Sequence, residues 1–182
     1  MIRFFAALLL LTFGSFVFQL FLPPVLLLNG AAILFAPIIY FYGCVSLPFS
    51  LVLALTFFTG LLQDLFTVPQ VGPHPEYTIG VSILLYLIPG VIMHGLRPLF
   101  LTHRWGIHLI LAEIGAALTP FILVAQYAIL SVERTNFYFS DVIVWRILGP
   151  GLISLLIAPC VFFILTPLSH VLGYRPGLPL AR

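Results

Sequence analysis

Residues 48–66 read PFSLVLALTFFTGLLQDLF, an apolar run that closes on a carboxylate, Asp64. A carboxylate at or near membrane depth costs a few kcal/mol, so it marks a functional or structural site with a partner. The run is the end of a longer apolar stretch, Phe4 to Phe66, with no formal charge before Asp64. As one helix that stretch would be roughly 95 Å long at 1.5 Å per residue. A hydrocarbon core is roughly 30 Å thick, so about three crossings are needed. Proline supplies the breaks, because it cannot donate a hydrogen bond and biases the preceding residue away from helix. Pro23-Pro24 ends a first span and Ser46-Leu47-Pro48 a second, which predicts spans over 4–22, 25–45 and 48–66.

Thr67 to Tyr77 contains Pro69, Gly72, Pro73 and Pro75 and reads as a loop, either a docking surface or a plain connector. A fourth span is predicted from Thr78 to Leu96, a polar connection from Arg97-Pro98 through Trp105, and a fifth span over 106–130. Ser131 to Asp141 carries Glu133, Arg134 and Asn136 and reads as a loop, followed by a sixth span over 142–168. Pro37, Pro150 and Pro159 are expected to kink spans two and six. Gly149, Gly151 and Ser154 make span six a candidate for close helix packing.

Six spans put both termini on one side. That side holds Arg3, Arg97, Arg104, Arg175 and Arg182 and no acid. The other holds Glu76, Glu133, Arg134 and Asp141, with Asp64 and Arg146 near that interface. The positive-inside rule then predicts cytoplasmic termini. Trp105, Trp145, Tyr77 and Tyr138 fall near expected interfaces, where such rings are enriched. The N-terminal apolar run extends through Leu22 with no small-x-small cleavage site, and reads as a retained helix rather than a signal peptide.

Composition agrees. Hydrophobic residues make up 62% and charged residues 7%, more apolar surface than a soluble fold of this size has interior to hide. The expected class is an all-α integral membrane protein: a compact bundle of six transmembrane helices in one domain, 1–168, with a mobile cytoplasmic tail, 169–182. Lysine is absent and the net charge is +2, too small a balance to argue for nucleic acid. Cys44 and Cys160 lie in apolar stretches and read as small hydrophobes.

The charged residues admit several arrangements. Asp64 lies near a helix C-terminus, where the macrodipole disfavours it, so its donors must come from elsewhere. Arg146 is one candidate, and a pair would fix the packing of spans three and six. Alternatively both face interfacial water by snorkelling. Glu113 is the deepest acid, with His94, Arg97 or His108 as candidate partners for a proton relay or a buried packing bridge. His103 and His108 do not share a helical face, and His74 and Glu76 fall on the opposite side, so no metal site is expected. There is no Ser-x-x-Lys, Gly-x-Ser-x-Gly, His-Glu-x-x-His or phosphate-binding loop. Neither a cofactor nor catalysis is expected.

From Gly60 to Gly72 the chain resembles the rod shape-determining protein MreD family. Gly60-Leu61, Asp64 and Gly72 match that family's Gly-Leu-x-x-Asp followed about eight residues later by Gly, and Pro24-Val25-Leu26 resembles the proline that opens its second span. The resemblance covers about residues 19–96. Val68-Pro69 departs from the small residues common there, and no acid follows Pro24. The resemblance implies a scaffold in the bacterial cytoplasmic (inner) membrane, part of the cell-elongation machinery. Its implied partner is the single-span protein MreC, and through it the actin-like MreB and the peptidoglycan synthases. The family's fold also resembles the substrate-binding subunits of energy-coupling-factor vitamin transporters. That offers a second expectation: a small-molecule pocket lined by Asp64, Glu76, Glu133, Arg134, Asp141 and Arg146. A polar cavity in the outer half would suit the transporter, and a filled core with an apolar partner groove at lipid depth would suit the scaffold.

Overall fold

A computed structural model describes residues 1–67, 70–71, 74–75, 79–102, 104–133 and 140–174, with backbone alone at 70, 71, 74, 75 and 133. The chain is α-helical. In order come α1 (Ile2–Gln19), a 3-10 turn (Leu26–Leu28), α2 (Ala36–Ser46) and α3 (Phe49–Thr67). A minimal antiparallel ribbon follows, β1 (Gln70–Val71) against β2 (His74–Pro75). Then come α4 (Val81–Gly95), α5 (Arg97–Phe100), α6 (Trp105–Glu133) and α7 (Asp141–Val171). Four helices, α1, α3, α6 and α7, are long and apolar enough to cross a membrane. The protein is thus a multi-pass α-helical membrane protein in type.

The second expected span is not a continuous helix. Helix begins at Ala36 rather than near Val25. The cause is local. Asn29 and Gly30 both adopt left-handed conformations, with φ of 49° and 82°, which a right-handed helix cannot contain. Val25 N–H donates to the Ala31 carbonyl at 2.9 Å and Gly30 N–H to the Val25 carbonyl at 3.1 Å, closing the segment into a tight turn. Pro37 then occupies the first turn of α2, where its missing N–H costs nothing. At 11 residues, α2 is roughly 16 Å long, about half a hydrocarbon core.

This short helix is the centre of the molecule. All 11 of its residues are buried, and α1, α3, α4, α6 and α7 pack around it. A helix that is apolar all round belongs in such a place. Tyr42 meets Phe100 and Phe162 edge-on, at centroid separations of 5.7 and 5.1 Å. Small residues set the close approaches of the surrounding helices. Gly115 on α6 faces the Phe41 side chain, Gly149 on α7 faces Ala31, and Gly151 faces Pro120 of α6. In lipid, where burial alone does not drive helices together, such packing carries the association.

The chain end also differs from expectation. Ser169 to Val171 complete α7, and Tyr174 is buried, stacked on Phe4 at 5.0 Å with its hydroxyl donating to the Ser46 carbonyl at 2.6 Å. The expected mobile tail therefore starts no earlier than residue 175, and 175–182 lie outside the described residues. Cys44 is buried, as read from the sequence, whereas Cys160 is exposed on α7.

Candidate functional site

The residues of the Gly60–Asp64 run converge on the first turn of α4. Gly60 and Asp64 are four apart on α3 and so lie on one face. A Cβ at Gly60 would stand 2.5 Å from Ile83 Cα and 2.6 Å from Ile83 N. Only glycine lets the α4 backbone come this close. One turn further, Asp64 Oδ2 accepts the backbone N–H of Gly80 at 2.6 Å and that of Ser82 at 3.3 Å. Gly80 has φ of 108°, a conformation suited to glycine. The first amides of a helix have no intrahelical acceptor and carry the positive end of its macrodipole. Asp64 satisfies two such donors on a helix to which it does not belong, so a carboxylate unsuited to its own helix end is matched to its neighbour's start.

Asp64 is 2% exposed, and its Oδ1 has no hydrogen-bond partner. The candidate partner Arg146 is exposed on α7 and forms no ion pair with Asp64. The two are not brought together: Asp64 is buried against the start of α4, whereas Arg146 is exposed.

A hydrogen-bonded seam extends from this junction into the core. Gln63, also buried, accepts the Tyr86 hydroxyl at Oε1 (3.2 Å) and donates from Nε2 to Thr67 Oγ1 (3.1 Å). Tyr40 of α2 donates to the Tyr86 carbonyl at 2.9 Å, with Thr56 Oγ1 also 2.9 Å from its hydroxyl. The Tyr40 hydroxyl sits against Gly90, where any Cβ would displace it. Gln126 of α6 donates to Ser82 Oγ at 3.0 Å. Four helices are thereby tied through polar groups that lipid could not satisfy.

A second cap repeats the device at α2. With its amide oriented to suit its neighbours, the Gln19 oxygen accepts Phe35 N–H at 2.9 Å and Ala36 N–H at 3.1 Å. The last residue of α1 thus caps α2 as Asp64 of α3 caps α4. Sequence reading passed over Gln19, Gln63, Tyr40 and Tyr86 because none is charged. Their signal is a hydrogen-bonding side chain inside an otherwise apolar run.

The remaining expected residues are dispersed. Leu61 is half-buried on α3 beside the motif, and Gly72 lies outside the described residues. Glu113 is half-buried on α6, with no hydrogen bond or ion pair among the described residues. Arg97 does not pair with it, and its two candidate histidines are engaged elsewhere. His94 Nδ1 is 2.8 Å from the Cys44 carbonyl, and His108 Nε2 is 3.2 Å from that of Phe100, on whose ring it stacks. Among the described residues no three His, Cys, Asp or Glu side chains gather closely enough to hold a metal ion.

Cavities border the bundle. A groove of about 330 Å³ between α6 and α7 is lined by apolar groups, including Pro120, Trp145, Leu148 and Leu152. Another, of about 300 Å³, lies between the end of α1, residues 20–34 and the end of α3, where Gln19 and Thr67 add polar atoms. No family model matches the chain, and no curated protein or solved structure matches it.

Proposed function

We propose that this protein is a non-catalytic scaffold of the bacterial cell-elongation machinery, of the MreD type. It would cross the inner membrane six times with both termini in the cytoplasm, α2 and α4 completing the set begun by the four long helices. One observation carries the reading: Gly60 and Asp64, two of the residues that carry the resemblance, act together on a single structural task. Gly60 admits the start of α4 and Asp64 caps it. A carboxylate committed to backbone amides is a packing anchor, and its neighbours Gln63, Tyr86 and Tyr40 are likewise spent on holding helices. The apolar groove between α6 and α7 is suited to a single membrane-spanning helix such as that of an MreC-like partner, which would link the bundle to an actin-like filament protein and the peptidoglycan synthases.

A transporter subunit is the second reading. It is favoured by the cavity beside Gln19 and Thr67, which lies at the same end of the bundle as Asp64. Its volume of about 300 Å³ is at the lower limit for small-molecule pockets, roughly 300–1,000 Å³. Affinity purification in mild detergent separates the two. Recovery of an MreC-like single-span protein supports the scaffold, whereas recovery of a pair of ATPases replaces it with the transporter.

A further inference from the structure

We propose that Arg97 binds the phosphodiester of an anionic phospholipid. Arg97 opens α5, just beyond the apolar helix α4, at the end of the bundle where α1 begins and α7 finishes. It is half-buried, and its Nε is shielded from solvent with no hydrogen-bond partner. A buried donor left unmatched is costly, and more so on a charged group. At this end of the bundle the Cys44 carbonyl is engaged by His94 and that of Ser46 by the Tyr174 hydroxyl. None of the described carboxylates pairs with Arg97. Asp64 is 15 residues along α3 from Phe49, roughly 22 Å along the helix.

The surroundings suit a phosphate at headgroup level. The Arg97 guanidinium lies beside the Tyr174 phenol, whose ring stacks on Phe4. Arg3 adjoins Phe4, and Arg3, Arg104 and His170 are exposed at the same end. Trp105, 58% exposed and 5.2 Å from Phe163, marks an interface there. A planar guanidinium matches phosphate oxygens better than any other side chain. A lipid phosphate supplies an acceptor for Nε, and its acyl chains lie along the exposed apolar faces of the neighbouring helices. This inference does not rest on the scaffold reading, nor on which side of the membrane this end faces.

The test is lipid binding by the full-length protein in mild detergent, read by native mass spectrometry with phosphatidylglycerol or phosphatidylcholine. Phosphatidylglycerol should be retained in preference, and Arg97→Gln should weaken its retention about fivefold, the contribution of one arginine near an anionic surface. Arg104→Gln, at an exposed position, should change it little. Equal losses in the two variants would overturn the site in favour of a diffuse basic face. Displacement of the lipid by an equal concentration of inorganic phosphate would assign the site to the free ion and also sink the proposal. Should Arg97→Gln fail to fold, the melting temperature of the wild type decides. Phosphatidylglycerol must raise it above its value in phosphatidylcholine, and equal values refute a lipid site.

Discussion

Asp64 holds the backbone N–H of Gly80 at 2.6 Å, across the connection between α3 and α4, and so caps a helix from outside it. Replacing Asp64 with Ala leaves two amides at the start of α4 without this acceptor. The expected cost is about 2 kcal/mol, read as a lower melting temperature in detergent and weaker assembly with partner proteins. Asp64→Asn keeps an acceptor oxygen and should lose about half as much. Wild-type stability and assembly in Asp64→Ala would show that Asp64 does not anchor the start of α4.

Gly60→Ala tests the close approach. The added methyl meets the Ile83 backbone, which cannot rotate away, so a loss of about 1–3 kcal/mol is expected. Gly14→Ala is the matched control, since nothing lies within 4 Å of its Cβ position, and alanine favours helix over glycine by about 1 kcal/mol. The two variants should therefore move the unfolding midpoint in opposite directions.

Tyr40→Phe and Tyr86→Phe each remove hydroxyl bonds of the seam. Interhelical hydrogen bonds in membranes average about 0.6 kcal/mol, so each variant should show a small loss. Tyr40→Phe should lose more, because its hydroxyl has two partners. A double variant with Gln63→Leu should be less than additive with Tyr86→Phe, since one bond serves both residues.

Tyr174 gives a pH signature. Burial raises its phenol above the ordinary tyrosine value of 10.0, with Arg97 acting in the opposite direction. A raised folded-state value means that its contribution is whole below about pH 10 and is lost as the pH climbs through the folded value. The stability difference between wild type and Tyr174→Phe should be constant from neutral pH to about 9 and should diminish in stronger base. A difference that grows with pH would contradict this burial of the phenol.

Topology is tested by labelling. Single cysteines at Arg104 and Arg175, in a background lacking Cys44 and Cys160, should react from the cytoplasmic side, and one at Asp141 from the opposite side. Reaction at Arg175 from outside alone would overturn the six-span arrangement.

Much of this architecture was legible from proline positions and hydropathy. Pro23-Pro24 and Pro48 mark real breaks, and α3, α6 and α7 fall within a few residues of the expected spans. The second span was misread because Asn29-Gly30 is a weak signal inside an apolar run, whereas in three dimensions its left-handed turn ends any helix. The importance of Asp64 could be seen from its cost in a membrane, and so could its need for outside donors. Its partner could not. Charge suggested Arg146, but backbone amides at a helix start carry no mark in the sequence. Arg97 and Tyr174 are 77 positions apart, and nothing local to either announces that they meet.

The burial of all of α2 bears on how the protein is made. Each long helix offers lipid an exposed apolar side, but α2 offers none, and its start depends on Gln19 from the helix before it. It therefore has no stable resting place in the bilayer until α3, α4, α6 and α7 have closed around it. The middle of the molecule is fully enclosed only by helices made after it, once they join α1, although the ribosome delivers it among the first.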